Sequence, residues 1–255
     1  DRFKKSIIRS GEFLPYIKNV FKEHDVPEAL CYLPHVESSF KWNARSKVGA
    51  AGLWQFTYYT ARKYMDINSL MDERYDPFAS TVAAAKLLRD NYDELNSWPL
   101  AITAYNYGLN GIRRASEKYA TRELGEIIEH YRSGMFGFAS KNFYAEFYAA
   151  WKVASDYQTY FGQLEMIKPV KFKTIILKQH YTLKQLCMQY NIDIKTMIRF
   201  NPGYRLSALQ SKTIPEGCII RLPDLSESPS TRSYNDSNIQ DYAMMPGKYF
   251  YSASY

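Results

Sequence analysis

Apolar residues in the first 165 positions recur at spacings of three and four, which is the period of an amphipathic helix. The pattern is clearest in the segments SIIRSGEFLPYIKNVF, TVAAAKLLRDNYDEL and NFYAEFYAAWKVASDYQTYF. Asp76-Pro77 stands just before the second of these segments, as is typical of a helix entry. Residues 1–165 are therefore predicted to form a mainly helical domain.

Two stretches interrupt this helical pattern. Residues 40–55 include Asn43, Ser46, Gly49 and Gly52, and such a cluster predicts an irregular loop. The segment AYNYGLNG, which carries Gly108 and Gly111, predicts a second break.

The pattern changes near Pro169. KFKTIIL alternates and is rich in β-branched residues, as strands are, whereas LKQLCMQYN has a helical pattern. A second helix is predicted from Ile194 to Phe200 and a closing strand from Cys218 to Leu222. Residues 171–223 are thus predicted to form a small α+β domain of order βααβ.

The last segment, residues 224–255, opens with a polar run and ends rich in Tyr, with Tyr249 and Tyr251 flanking Phe250. These aromatics are too many for a plain disordered tail. We expect residues 224–255 to pack on the domains.

The net charge of +7 lies in the small domain, because residues 171–223 carry nine Lys or Arg and two acids. A basic domain beside a balanced one suggests an anionic polymer as partner, either nucleic acid or peptidoglycan. The 23 Tyr, 14 Phe and 4 Trp could pack the core or line a sugar cleft. No apolar stretch approaches the roughly 20 residues of a membrane helix.

Three cysteines are present, and an odd number argues against a full disulfide framework. Cys187 and Cys218 could pair or remain buried thiols, and Cys31 stands alone. The cysteines and the four His lack metal-ligand spacing. We therefore expect no metal and no organic cofactor.

Glu37 is the strongest candidate for chemistry. In LCYLPHVESSF it ends an apolar helix. Roughly one face is shared with it by Leu30, Leu33, Val36 and Phe40. Desolvation there favours a protonated carboxyl, which a general acid for glycosidic cleavage requires. Residues 38–65 contain no Asp or Glu, although most glycosidases use two carboxylates. The alternative is a helix-end acid paired with Lys41.

Three blocks, VESSF, SKVGAAGLWQF and AYNYGLNG, resemble the catalytic domain of the lytic transglycosylases, in particular that of the membrane-bound D type. The resemblance covers roughly residues 10–160 and implies a lysozyme-like (goose-type) helical fold with Glu37 as the catalytic acid and base. Glu37 would protonate the oxygen between N-acetylmuramic acid and N-acetylglucosamine. It would then deprotonate the muramoyl C6 hydroxyl, giving a 1,6-anhydro product.

The same resemblance assigns the substrate-binding residues. Ser46 would help hold the muramoyl unit, Gln55 would lie in the cleft, and Tyr105 would lie close to the catalytic carboxyl. Asn106 matches the adjacent asparagine, which shapes the turn or contacts substrate. Tyr144 is preserved in the last catalytic helix.

One block departs from many relatives, which carry a Glu-Thr pair in that last helix. Here FASKNFYAEF places Ser140-Lys141 at the corresponding positions. This change removes a carboxylate from the cleft region. It leaves open the preference for acetylated sugar and the choice between transglycosylation and hydrolysis.

Residues 171–223 resemble a divergent LysM domain, a type that binds N-acetylglucosamine-containing glycans. The matching features are Tyr181-Thr182-Leu183, Asn201-Pro202 and the closing Ile219-Ile220-Arg221-Leu222-Pro223. The usual Gly-Asp before the Thr is replaced, since Gln179-His180-Tyr181 stands there. Either a glycan-binding domain or a structural brace is consistent with this pattern.

The sequence therefore predicts a peptidoglycan-cleaving muramidase, most simply a lytic transglycosylase that acts as a monomer on glycan strands. A hydrolytic lysozyme and a non-catalytic cell-wall binding protein are the alternatives. Nucleic acid is not expected as a partner, because no motif for it is present. We expect the periplasm, the cell envelope or secretion as the location, with a signal peptide removed ahead of DRFKKS.

Overall fold

The computed structural model describes residues 2–205 and 213–224. Their fold is mainly helical, which confirms the predicted fold class. All but the first residue of the predicted tail, 224–255, lies outside the described residues, so its packing stays a prediction. The chain divides into two compact units, of which the first comprises residues 1–67 and 73–170 and the second residues 68–72 and those from 171 onward.

The first unit contains ten α-helices among its described residues. They are α1 (Arg2–Ser10), α2 (Leu14–Glu23), α3 (Pro34–Glu37), α4 (Tyr58–Ala61), α5 (Pro77–Leu95), α6 (Trp98–Tyr107), α7 (Leu109–Tyr119), α8 (Leu124–His130), α9 (Phe138–Ser155) and α10 (Tyr157–Phe161). Two 3₁₀ helices, Glu28–Tyr32 and Glu73–Tyr75, join them.

Two apolar clusters hold this unit together. The larger lies among α2, α3, α5 and α9 and includes the fully buried Phe21, Leu33, Trp54 and Leu88. The smaller joins α6, α7 and α8 through buried Leu100, Ile112 and Ile127. Burying one such aliphatic side chain contributes about 1.5–3 kcal/mol, so these clusters are the main stabilising element around the candidate site.

Two predicted helical segments are divided in the structure, and one predicted break is shorter than expected. SIIRSGEFLPYIKNVF is divided by a turn at residues 11–13, and NFYAEFYAAWKVASDYQTYF is divided at Asp156. The predicted break at AYNYGLNG is confined to Gly108, because Gly111 lies inside α7. A side chain at Gly111 would clash with the Tyr107 ring, so this glycine serves close packing and not a turn.

The second unit has the predicted order. Strand β1 (Phe172–Ile176) is followed by α11 (Leu183–Tyr190), α12 (Ile194–Phe200) and strand β2 (Ile219–Pro223). The two strands pair antiparallel, with Phe172 opposite Pro223 and Ile176 opposite Ile219. Leu186, Ile220 and Leu222 are buried between the helices and this strand pair.

Buried Asn201 ties the end of α12 to β2. Its side-chain amide donates to the carbonyls of Met197 and Arg221 at 2.9 and 2.8 Å, and its Oδ1 accepts from the Arg221 N–H at 2.8 Å. Residues 68–72 belong to the same unit, since the Asp72 N–H donates to the Gly203 carbonyl at 2.7 Å. The sequence pattern gave no indication of that last contact.

All three cysteines are free thiols, so Cys187 and Cys218 do not pair in this structure. Among residues 2–205 and 213–224, no helix is both long and apolar enough to span a bilayer. The same residues contain no cluster of His, Cys, Asp or Glu suited to a metal ion.

Asp76 caps the start of α5, the longest helix among the described residues. The Asp76 carboxylate accepts from the backbone N–H groups of Phe78 and Ala79 at 2.9 and 3.0 Å. Loss of such an N-cap costs about 0.5–2 kcal/mol. We expect Asp76→Ala to lower the free energy of unfolding by this amount in urea titrations, and Asp76→Asn to retain most of it. Equal loss in both variants would contradict the capping role.

Candidate active site

Glu37 ends a short helix whose start is fixed by its sequence. Pro34 occupies the first turn of α3, where a missing N–H costs nothing, and the Glu37 N–H donates to the Leu33 carbonyl at 3.2 Å. Leu33 is fully buried in the larger cluster, and α3 packs against α9. The carboxyl group is therefore anchored at the edge of the apolar core, as the sequence predicts.

Burial dominates the electrostatics of Glu37. It raises the pKa of the carboxyl from its ordinary value of 4.5 to about 8. The residue as a whole keeps intermediate exposure, although its carboxyl group is desolvated. Within the part of the chain that the structure describes, Glu37 makes no ion pair, and Lys41 is exposed. The alternative of a surface pair with Lys41 is therefore not seen.

Tyr105, on α6, lies near this carboxyl. Burial, and after it the charge of Glu37, raises the pKa of the Tyr105 phenol well above its ordinary value. The phenol does not donate to Glu37 itself but to the backbone carbonyl of Trp54 at 2.8 Å. Tyr105 is thus a neutral, fixed hydroxyl beside the candidate acid.

Three successive backbone carbonyls receive hydrogen bonds from side chains around Glu37. The Gln55 amide donates to the Gly52 carbonyl at 2.9 Å, Ser38 Oγ donates to the Leu53 carbonyl at 2.7 Å, and Tyr105 donates to that of Trp54. Residues 52–54 therefore connect the end of α3 with α6. Sequence reasoning missed the role of Ser38, because nothing in the pattern points to a backbone acceptor.

The loop between Phe40 and Gln55 is irregular, as predicted, but closely tied. Isolated bridges pair Arg45 with Ala51 and Ala51 with Phe56. Gly52 has a φ of +81°, and a side chain there would overlap the Arg74 carbonyl, so only glycine fits. Arg74 in turn donates to the Gly49 carbonyl at 3.0 Å.

Ser46 and Gln55 both belong to this loop. Ser46 Oγ accepts from the Ala50 N–H at 3.0 Å and closes the turn. Gln55 has a positive φ of 50° and a second, longer hydrogen bond to the Ala44 carbonyl at 3.3 Å. Both side chains are partly exposed, which leaves them able to meet a ligand. Trp54 is fully buried, packs against Phe21 and belongs to the core and not to a cleft.

Asn106 lies beside Tyr105 and is exposed. Its Oδ1 accepts from Ser140 Oγ at 2.9 Å. Ser140, which stands where many relatives have the Glu of a Glu-Thr pair, therefore has a hydrogen-bond partner on α6. Tyr105, Asn106 and Ser140 line a groove of about 710 Å³. The charged side chains along that groove are Lys63 and Arg114, both cations.

Tyr144 is placed apart from this groove. It lies one turn after Ser140 on α9 and lines a second groove of about 540 Å³ with residues of α6 and α8, including Pro99, Leu124 and Ile128. Its ring also packs against both apolar clusters of the unit. The structure thus connects Tyr105, which lies near Glu37, with the 44–55 loop, and Tyr144 lines a separate groove.

Comparison with known proteins gives one family match, over part of the first unit. Residues 15–128, just under half of the chain, match the Transglycosylase SLT domain. The chain is 34% identical over 110 residues to the membrane-bound lytic murein transglycosylase D of Escherichia coli (strain K12). That match covers 42% of this chain and 24% of the relative, so the chain spans about a quarter of the relative's length.

Two solved structures are similar to parts of the chain. An inactive mutant of the lytic transglycosylase Slt from Pseudomonas aeruginosa has a TM-score of 0.46 at 18% identity, over 60% of this chain and 25% of that one. The 70 kDa soluble lytic transglycosylase of Escherichia coli has a TM-score of 0.42 at 20% identity, over 57% and 24%.

The raised pKa of Glu37 predicts a pH-dependent stability. Between pH 4.5 and about 8 the folded protein keeps the proton that the unfolded chain releases. The contribution of this carboxyl to stability is therefore fully present below pH 4.5 and is lost as the pH rises to about 8. Gln does not titrate. The free energy of unfolding of Glu37→Gln relative to wild type should therefore rise with pH between 4.5 and about 8 and stay constant above that range.

Urea unfolding at a series of pH values measures this difference. Glu23→Gln, at an exposed acid at the end of α2, is the matched control and should follow the wild-type pH dependence. Parallel curves for wild type and Glu37→Gln between pH 4.5 and 8 would show that the carboxyl is not desolvated.

Proposed function

We propose that this chain, which carries a Transglycosylase SLT domain at residues 15–128, cleaves peptidoglycan strands as a lytic transglycosylase with Glu37 as its catalytic acid and base. The observation that carries the proposal is the desolvated, unpaired carboxyl of Glu37, whose pKa of about 8 keeps it protonated at neutral pH. A general acid needs a pKa near the working pH.

The proposed reaction has two proton transfers through one group. Glu37 donates its proton to the glycosidic oxygen of the β-1,4 bond from N-acetylmuramic acid to N-acetylglucosamine, and that C–O bond breaks. The resulting carboxylate then takes the proton of the muramoyl C6 hydroxyl, whose oxygen bonds to the anomeric carbon. The products are a 1,6-anhydromuramoyl end and a free C4 hydroxyl, and Glu37 returns to its protonated form.

A single carboxyl suffices for this chemistry, because the substrate supplies its own nucleophile. Inverting glycosidases place a second carboxylate about 6.5–9.5 Å away to activate water, and retaining ones place it at about 5–5.5 Å. Residues 38–65, which include the loop beside Glu37, contain no Asp or Glu. Burial alone accounts for the raised pKa of Glu37, without a neighbouring acid as cause.

The remaining predicted residues would bind the sugars. Tyr105 would keep its hydroxyl against the loop and present its ring edge to the muramoyl unit beside Glu37. Ser46 and Gln55 would hydrogen-bond hydroxyl or acetamido groups from the loop side. Asn106 would do so from the groove that it lines, and Tyr144 would contact substrate from the second groove.

The groove itself suits an anionic polymer. Its volume of about 710 Å³ is within the range of ligand clefts, and its two charged side chains, Lys63 and Arg114, match the carboxylates of peptidoglycan stem peptides. The positive charge of the groove and the protonated carboxyl of Glu37 therefore both support peptidoglycan as the substrate.

For the second unit we propose a glycan-binding role of the LysM type. Its βααβ order and its excess of basic residues support this assignment. A second, weak site on the same polymer raises the effective concentration of glycan at the first. Acting on peptidoglycan, the protein would work as a monomer in the periplasm or cell envelope, or after secretion.

The direct test is mass spectrometry of the muropeptides released from purified sacculi. Wild type should release 1,6-anhydro products, and Glu37→Gln should lose at least about 10²–10⁴-fold in rate, which is the usual contribution of general acid–base catalysis. Glu23→Gln is the matched control and should retain wild-type activity. Near-full activity of a folded Glu37→Gln variant would overturn the role of Glu37.

The product type separates the remaining possibilities. Reducing-end products would identify a hydrolase with water as the nucleophile. Sacculus binding without any release would identify a non-catalytic cell-wall binding protein. Parallel digestion of N-deacetylated sacculi would determine whether Ser140-Lys141, in place of a Glu-Thr pair, goes with a preference for deacetylated glycan.

A further inference from the structure

The turn that follows Glu37 has a backbone conformation that its residues disfavour. Ser39 and Phe40 have φ values of 55° and 56°, in the left-handed region that non-glycine residues rarely adopt, and they adopt it in succession. Phe40 is 1% exposed, and its N–H donates to the Pro34 carbonyl at 3.1 Å. Such a turn persists only where the surroundings fix it.

Arg9, at the end of α1, supplies the fixing contact. Its Nε and Nη2 both donate to the Ser39 carbonyl, at 2.9 and 2.6 Å. Charge-assisted hydrogen bonds of this forked kind are short and strong, and they define the orientation of their acceptor. The side chain is only partly exposed, and the ion pairs among residues 2–205 and 213–224 do not include Arg9, so its guanidinium is committed to this carbonyl.

A second contact joins the same helix to the other side of Glu37. Ser6 Oγ and His35 Nδ1 are hydrogen-bonded at 2.7 Å, and both residues are buried. The His35 ring packs against Phe3 and Phe40, with centroids 5.1 and 4.6 Å away. Helix α1 therefore holds the chain two residues before and two residues after Glu37.

We infer that Arg9 is a positioning residue for Glu37. Arg9 fixes the Ser39 carbonyl and thereby the end of α3, on which Glu37 lies. The inference rests on the proposed function, in which Glu37 is the acid and base. Arg9 does not touch the carboxyl, so its effect passes through the backbone of residues 37–39. It lies ahead of residues 15–128, so the segment that matches the SLT domain depends on a helix outside the match.

The consequences differ from those of a merely structural residue. Without the Arg9 contact, Ser39 and Phe40 are expected to relax, the Glu37 carboxyl to shift, and water to reach it more easily. The pKa of Glu37 should then fall from about 8 toward 4.5. Misplacement of a catalytic group by about 1 Å can cost 10²-fold in rate, whereas substrate binding in the groove should change little.

The experiment compares Arg9→Ala, Arg9→Lys and the control Lys5→Ala, which removes an exposed cation from the same helix. We expect Arg9→Ala to lower kcat by about tenfold or more with KM within about twofold of wild type. Arg9→Lys should recover part of kcat, since one ammonium replaces a forked donor. Guanidinium ion, added well below denaturing concentrations, should rescue Arg9→Ala but not wild type or Lys5→Ala.

A second readout does not depend on activity. NMR titration of the Glu37 side-chain carboxyl in the full chain should give a lower pKa in Arg9→Ala than in wild type. An unchanged Glu37 pKa together with an unchanged kcat in folded Arg9→Ala would overturn the inference. So would a loss of activity that follows only the unfolded fraction and is not rescued by Arg9→Lys or guanidinium.

The two proposals fail in different ways. If wild type releases no muropeptides, the proposed function fails, while the NMR titration still decides whether Arg9 controls the environment of Glu37. If wild type is active and Arg9→Ala matches it in kcat and Glu37 pKa, only the positioning role fails.

Discussion

The proposed site depends on one constraint: the Glu37 carboxyl is held in a desolvated position without a counter-charge. Burial raises the pKa of Glu37 to about 8, and such burial opposes ionisation of the folded protein. An ion pair with Lys41 would relieve this unfavourable state, but it would also leave the carboxyl ionised and unable to act as an acid. The apolar residues of α3 and of the larger cluster instead surround the carboxyl without a counter-charge and keep it protonated. The surrounding backbone then has to be rigid enough to hold the carboxyl in that position.

That rigidity comes mainly from backbone carbonyls. Three successive carbonyls, those of Gly52, Leu53 and Trp54, accept from the side chains of Gln55, Ser38 and Tyr105. Each bond satisfies a polar group near the core, where an unpaired one would cost about 1–3 kcal/mol. Because the donors come from the end of α3, from the loop and from α6, the same bonds fix the three elements around the carboxyl. The pKa of the carboxyl is thus set by burial, and its position is supported by one stretch of main chain.

The sequence predicted what depends on side-chain pattern and missed what depends on the backbone. The mainly helical first unit, the irregular 40–55 loop and the βααβ order all follow from periodicity and from turn residues, and the structure has each of them. Glu37 is predicted as the candidate acid from its apolar flanks and its motif, and the structure gives it a desolvated carboxyl. In contrast, Ser38 and Arg9 act on carbonyls, which every residue carries, so no residue type marks their acceptors in the sequence. The same limit applies to Gly111. The sequence alone does not distinguish a glycine that packs against Tyr107 from a glycine that forms a turn.

The backbone also explains why the strained turn after Glu37 is tolerated. Glycine at Ser39 or Phe40 would adopt a positive φ without cost, yet it would gain freedom in the unfolded chain and loosen the segment next to the carboxyl. Phe40 instead contributes a buried ring that packs on His35, and the strain is offset by the forked bond from Arg9. A non-glycine residue in the left-handed region therefore gives more rigidity than glycine would, provided that a partner outside the turn holds it. In this chain that partner is on α1, which makes the first helix part of the support for the candidate acid.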